Sequence, residues 1–224
     1  MIDIFKAFQS HSTEYILKYI DYTIEKWNLS KSNAEAFNRF RDYYNQTRNP
    51  LDLYVLMCYS FNYQFRFNSN HDYNSSFGKN LSSFNNVMRS NLIKTLDRLK
   101  DVEFSSKQFQ DFDYGVLSKG SFLYADPPYL IACGPYNDGK RGFIRWNEKE
   151  ERMLYSILTD MDKSGIKFAL SNVIEHKGER NDILTDWLIK NNYNVHDIEF
   201  NYKNSSYHGK HKENTTREVL ITNY

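Results

Sequence analysis

Residues 121–129, SFLYADPPY, decide how this chain is read. Phe122, Leu123, Tyr124 and Ala125 make a short apolar run suited to a buried strand, and Asp126 stands at its carboxyl end. That end of a strand is where open α/β sheets bind their ligands. Pro127 and Pro128 then stop the strand, because neither has an N–H for the ladder. Both also fix φ, so the carbonyl oxygens after Asp126 are held in place.

Downstream, strands and helices alternate. Asn147-x-x-Glu150 has the form of a capping box, and Met153, Leu154, Ile157, Leu158 and Met161 continue as a helix face that stops at Gly165. Residues 167–171 read as an apolar strand, 183–189 as a helix, and 195–200 and 218–222 as alternating strands. Strand–helix–strand order implies parallel pairing through a crossover. The last two strands have no helix between them and are expected to pair antiparallel.

Upstream the pattern is helical. Ile16, Ile20, Ile24 and Trp27 share one face, widened by Leu17. Ser32-x-x-Glu35 suggests a capped start for a helix that buries Phe37, Phe40 and Tyr44. Asn49-Pro50 suits an N-cap with proline at the first helical position, opening a helix through Met57. Residues 61–86 lose periodicity and read as loop or hairpin, and Met88, Leu92, Leu96 and Leu99 restore a helix. Residues 102–105 are a further strand candidate. The fold class expected is α/β, an open sheet with a helical portion placed before it.

Composition narrows the function classes only coarsely. Of 224 residues 40% are hydrophobic and 25% charged, as in a globular protein, and the net charge of +1 requires any nucleic-acid affinity to come from a local basic surface. The 17% aromatic content, with Tyr 18 and Phe 16, fits either simple compositional bias or rings that stack on bases. Cys58 and Cys133 have neither metal-ligand spacing nor a disulfide framework, and His208 and His211 lack companion ligands, so no metal is expected. No apolar stretch approaches the ~20 residues that span a bilayer, and Met1 opens no leader-like run. No membrane partner is expected, and a cytoplasmic location follows by default.

The chemistry at Asp126 has a specific use. An exocyclic amine on a nucleobase is a poor nucleophile, since its lone pair is delocalised into the ring. The Asp126 carboxylate and the Pro127 carbonyl can accept its N–H bonds, favouring a tetrahedral nitrogen aimed at an electrophile. Tyr129 can stack on a base taken out of the duplex. The alternative is a proline-rich turn in which Asp126 serves only as a cap.

The stretches FRDYYNQTRNPLDLYVL (40–56), FNYQFRFN (61–68), FGKN (77–80), FLYADPPYLI (122–131), GIKFALSN (165–172) and REVLITNY (217–224) together resemble the Dam-type, phage-type DNA adenine methylases of the alpha group, the D12 class. The resemblance runs from about Phe37 to the C-terminus. It implies methyl transfer from S-adenosylmethionine to an adenine amine in duplex DNA, with Asp126, Pro127, Pro128 and Tyr129 as catalytic residues. Asp126 and Phe109 would border the cofactor. Residues 50–100 would hold the target-recognition region, with Phe61, Asn62, Gln64, Arg66 and Asn68 on a hairpin that meets DNA. Arg66 suits guanine or phosphate, Asn62 or Gln64 an adenine edge, and Lys79 a phosphate. An ordinary exposed or ion-paired arginine is the plainer reading of Arg66. Lys203, His208, Lys210, His211, Lys212 and Arg217 would lie on a loop that either touches the DNA backbone, Lys210 foremost, or is merely solvated. Relatives of this kind methylate GATC, but Asn80 stands where a basic residue often follows FGK, which leaves the target open.

The same resemblance exposes a gap. A Phe-x-Gly-x-Gly turn and a following acidic residue usually grip the cofactor, yet the chain has 9 Gly and no Gly-x-Gly. The expected architecture is therefore an incomplete Rossmann-like methyltransferase sheet lacking its first two strands. It divides into an N-terminal helical segment (1–31), a helical recognition region (32–100) and a catalytic α/β domain (101–224). The edge of the strand at 121–125 would be open, and Ile4, Phe5 and Phe8 would want a packing partner. A subunit of a split enzyme completed by a separate polypeptide, a truncated enzyme and a DNA-binding remnant all fit. Methylation of rRNA or of a protein glutamine, which uses a similar tetrapeptide, is the alternative outside DNA.

Overall fold

The computed structural model describes residues 1–132, 146–198 and 216–224. The chain forms two compact units, Met1–Ser106 and Lys107–Tyr224.

The first unit is helical: α1 (Ile2–Ser10), α2 (Thr13–Trp27), α3 (Ala34–Thr47), α4 (Pro50–Tyr59) and α5 (Asn86–Arg98). Each of the last four starts on a side-chain cap. Ser12 accepts from the Tyr15 N–H, Asn33 from Ala36, Asn49 from Leu51 with Pro50 behind it, and Asn85 from Met88. The cap of α3 is thus Asn33, not the Ser32 expected from the capping-box spacing. Ser32 instead shares a hydrogen bond with Ser30. Helices α2 and α3 end on left-handed residues, Asn28 (φ 51) and Arg48 (φ 58). Helix α4 is buried nearly all round, through Leu51, Leu53, Val55, Leu56, Cys58 and Tyr59, and α1, α2 and α3 pack about it.

Two expectations fail here for identifiable reasons. The apolar face of α1 is not without a partner. Ile4 and Phe8 are buried, Phe8 meets Tyr54 edge-on with ring centroids 5.2 Å apart, and Phe5 stacks on Phe104 at 4.9 Å. Residues 102–105 form no strand. The Gln9 amide nitrogen donates to the carbonyls of Leu99 and Val102, each at 2.6 Å, so helix α1 rather than a sheet takes up this backbone.

Within this core Asp52 is buried (4% exposed) and accepts a hydrogen bond from the Tyr19 hydroxyl at 2.8 Å. Burial raises its pKa above the usual carboxylate value, partly offset by the Tyr19 bond. A carboxyl whose pKa is raised on folding binds its proton more tightly in the folded state, so stability falls as pH rises through the interval between the unfolded and folded values. Asp52→Asn keeps an acceptor for Tyr19 and removes the charge. The variant is expected to gain on the wild type as pH rises from about 4, the ordinary carboxylate range. Paired urea titrations at acid and neutral pH measure the difference.

The second unit is a sheet with helices. Its elements are β1 (Phe122–Ala125), α6 (Glu148–Lys163), β2 (Lys167–His176), β3 (Glu179–Arg180), α7 (Asp182–Asn191), β4 (Asn194–Asp197) and β5 (Thr216–Thr222). The strand order is β1-β2-β5-β4, with β3 folded back on β2. Strand β1 runs parallel to β2 across the α6 crossover, while β5 is antiparallel to both β2 and β4. This is the pairing that the strand–helix order implies. Strand β2 is longer than the apolar run at 167–171 suggests, because Lys177 (φ 53) and Gly178 (φ 83) turn it tightly into β3. Phe168, Leu170 and Ile174 of β2, Val219 and Ile221 of β5, Leu154 and Leu158 of α6, and Leu184 and Leu188 of α7 form one core. Among the described residues the second edge of β1 has no partner strand, and Phe122 and Tyr124 stand exposed beside it.

Glu151 lies inside that core and is fully buried. Its carboxyl group accepts from the Trp146 indole N–H and the Tyr155 hydroxyl, and from the side-chain amides of Asn172 and Asn181 at 3.1 Å each. One side chain of α6 thereby ties together the start of its own helix, the middle of β2 and the N-cap of α7.

Candidate active site and nucleic-acid interface

Asp126 follows directly on β1, whose last residue, Ala125, pairs with Leu170 of β2. It is exposed, whereas Pro127, Pro128 and Tyr129 are half-buried. The Tyr129 hydroxyl lies 3.0 Å from Glu218 Oε1 and 3.3 Å from Asp126 Oδ1 and donates to them. Burial, then the carboxyls of Glu218 and Asp126, push its phenol pKa well up, so the hydroxyl stays protonated. Tyr124 on β1 shares a 2.9 Å hydrogen bond with Ser171 on β2, fixing the strand ends next to Asp126. Phe109 packs its ring on Trp146 at 5.4 Å, at the margin of the same unit's core. The DPPY group, with Glu218 added, is therefore a built arrangement of two carboxyls about one phenol. Glu218 was missed by sequence reasoning. Its one signal was its place in REVLITNY, in a strand that pairs beside β2.

In the first unit, residues 60–84 are irregular but closely held. Isolated antiparallel bridges join Ser60 to Phe77 and Phe67 to Tyr73, in place of the regular hairpin that the alternation at 61–68 suggests. The backbone carbonyl of Gln64 accepts from the hydroxyls of Ser60 (3.2 Å), Tyr73 (2.9 Å) and Ser75 (2.8 Å). Tyr73 is buried (1% exposed), and its backbone exchanges two hydrogen bonds with the Asn45 amide on α3. Arg48 donates to the His71 carbonyl at 2.6 Å and pairs with Asp72. A Cβ at Gly78 would come within 2.8 Å of the Ser60 carbonyl oxygen and into Ser82, so the loop closes on itself where only glycine fits. Asn80 adopts φ 61 and donates its N–H to the Lys31 carbonyl at 2.6 Å, a conformation asparagine tolerates better than lysine or arginine.

On this base Phe61, Asn62, Tyr63, Gln64 and Arg66 are exposed, as is Lys79. Asn62 (φ 52) and Tyr63 (φ 54) are both left-handed, which turns the chain sharply at the tip. Asn68 differs from its neighbours. Its Oδ1 accepts from the N–H groups of Asn70 and Asp72 at 2.9 Å, so its side chain closes a turn.

Lys210, with Lys203, His208, His211 and Lys212, lies outside the described residues, as does Cys133. Arg217 is described, and it is not a bare cation: its guanidinium makes two hydrogen bonds to Asp197 across the β4–β5 pair, at 2.7 and 3.2 Å.

The D12 class N6 adenine-specific DNA methyltransferase profile matches residues 1–204 of the 224. The chain belongs to that family. It is 46% identical over 224 residues to modification methylase StsI of Streptococcus sanguinis, covering 99% of this chain and 34% of the relative. It is 45% identical over 230 residues to Type II methyltransferase M.FokI of Planomicrobium okeanokoites, covering 100% of this chain and 34% of that one. Modification methylase LlaI of Lactococcus lactis subsp. lactis is 36% identical over 211 residues, 93% of this chain and 32% of its own length. The chain thus spans about a third of the length of these relatives.

Membership in a DNA methyltransferase family implies S-adenosylmethionine as methyl donor. The exposed Asp126 carboxylate and the half-exposed Phe109 ring are the right groups for a cationic amine and a flat heterocycle. They fit part of that cofactor. No Gly-x-Gly in the 224 residues offers the close backbone approach that the rest of it needs. Among the described residues no helix is long and apolar enough to cross a membrane, and no group of His, Cys, Asp and Glu could hold a metal ion.

Proposed function

We propose that this chain supplies the base-holding end and the target-reading part of a modification methylase acting on the N6 amine of adenine in duplex DNA. The observation that carries the proposal is Asp126 set at the carboxyl end of β1, ahead of two prolines and hydrogen-bonded by Tyr129. Asp126 Oδ and the Pro127 carbonyl accept the two amine N–H bonds of an extruded adenine. The nitrogen lone pair is thereby turned out of conjugation and given a fixed direction. The Tyr129 ring forms a wall for the base. S-adenosylmethionine, when bound, supplies an electrophilic methyl group, with the Asp126 carboxylate and the Phe109 ring as this chain's contributions to holding it. In the first unit Phe61, Asn62, Gln64 and Arg66 read the target, Lys79 binds phosphate, and Asn68 shapes their loop. Lys210 adds a backbone contact. Such an enzyme works where cellular DNA lies, in the cytoplasm.

The β1 edge, without a partner strand among the described residues, and the lack of a Gly-x-Gly turn support donor-binding strands from another stretch of polypeptide, joined or separate. The target GATC follows from the Dam-type resemblance and is the first sequence to test. The full chain, incubated with a glycine-rich N-terminal fragment, labelled S-adenosylmethionine and unmethylated genomic DNA, is expected to deposit N6-methyladenine at one sequence. Without the fragment the yield should fall to little or none. Label in rRNA or in protein glutamine with none in DNA would overturn the proposal.

A further inference from the structure

Glu218 sits on β5, beside β2, and reaches Tyr129 across 89 residues of sequence. Tyr129 has a single hydroxyl proton and, among the described residues, two carboxyl oxygens within reach, Glu218 Oε1 at 3.0 Å and Asp126 Oδ1 at 3.3 Å. The shorter bond goes to Glu218. We infer that Glu218 is a positioning residue for methyl transfer: by accepting the Tyr129 O–H hydrogen bond it fixes the ring and leaves Asp126 Oδ1 available to the adenine amine.

The reasoning is one of donor count. Asp126 must accept from the substrate amine, and an oxygen already accepting from a phenol at full strength is a poorer acceptor for a second N–H. Without Glu218 the phenol keeps the Asp126 carboxyl within reach and swings toward it. Asp126 Oδ1 would then be occupied, and the wall for the base displaced. The supports of Glu218 are stiff. Its neighbour Val219 is fully buried, and its strand is paired on both sides, to β2 and to β4. Residue 218 registers with Val173, just beyond the Ser171 that binds Tyr124. An acceptor at this point of β5 is therefore held in a fixed relation to the carboxyl end of β1. Burial and the two carboxyls keep the phenol protonated, which the donor role requires.

This inference rests on the proposed methylase reading, and the experiment separates the two. Methyl transfer to unmethylated genomic DNA, with the glycine-rich fragment supplied, is measured for the wild-type chain and for Glu218→Ala, Glu218→Gln and Tyr129→Phe. A second arm places 3-fluorotyrosine at position 129 and follows its fluorine resonance. Glu218→Ala should lower kcat by about tenfold with KM for DNA little changed, since orientation and not binding is lost. Glu218→Gln, which keeps an acceptor oxygen, should recover most of that loss. Tyr129→Phe combined with Glu218→Ala should cost less than the product of the single effects, because both remove one bond. The fluorine resonance should move in Glu218→Ala and return in Glu218→Gln. An unchanged kcat for Glu218→Ala in an active enzyme overturns the positioning role. An unmoved resonance overturns the anchor itself, whatever the activity. A wild-type chain that stays inactive on DNA with the glycine-rich fragment supplied overturns the methylase reading, and the fluorine arm then decides the anchor alone.

Discussion

Asp126→Ala is expected to lower methyl transfer by about 10²–10³-fold, the range for removing one preorganised polar contact to a reacting group. Duplex affinity should stay within about twofold, because the change touches chemistry and not ground-state binding. The geometry accounts for both parts. Asp126 is exposed at the end of β1, so its loss opens no cavity in the core of the second unit. Its carboxylate is the anionic acceptor of the DPPY group, a stronger partner for an amine N–H than the neutral Tyr129 phenol. Single-turnover assays with filter-bound DNA measure rate and affinity together. A variant that keeps half of its activity would remove Asp126 from the reaction and leave it as a turn cap.

Glu151→Ala should have the largest effect on stability, about 3–5 kcal/mol, since the indole, phenol and amide donors around it would be left buried without their acceptor. Asn172 and Asn181 are themselves almost fully buried, so water cannot replace the lost carboxyl without entering the core. Glu151→Gln is milder, about 1–3 kcal/mol, because an amide NH₂ must then face at least one of the same donors. Urea unfolding followed by the fluorescence of Trp146 and Trp187, both in the second unit, reports the change directly. The damage should also reach the site. Asn172 adjoins Ser171, which holds Tyr124, and Trp146 carries Phe109. A stability loss below 1 kcal/mol in Glu151→Ala would show that the carboxyl has other support.

The parts of the molecule legible in its sequence are those set by local chemistry. Asn49-Pro50 and Asn147 cap helices because the side-chain oxygen and the N–H it satisfies are two residues apart. The strand before Asp126 was readable from its apolar run, and its parallel partner from the helix between them. Residues 102–105 have the composition of a strand, but a strand exists only with a neighbour, and Gln9 occupies their carbonyls instead. Glu151 was hidden by its charge. It lies on the same helix face as Leu154, Tyr155 and Leu158, yet a glutamate in a helix's first turn ordinarily faces water. The Tyr129–Glu218 contact joins the turn after β1 to β5 across β2, through two registers that no local pattern specifies.

The three hydroxyls that converge on the Gln64 carbonyl have a bearing on how such a protein can change. They hold a backbone atom, which every amino acid possesses, so the shape of the loop is indifferent to the side chain at position 64. The scaffold resides in Asn45, Arg48, Tyr73, Ser75 and Gly78, while among the described residues the outward positions 64 and 66 carry none of it with their side chains. Divergence could therefore proceed one substitution at a time at the rim, each change altering what the tip touches without refolding the loop beneath it. Two descendants of one ancestor could come to prefer different ligands while sharing every buried residue.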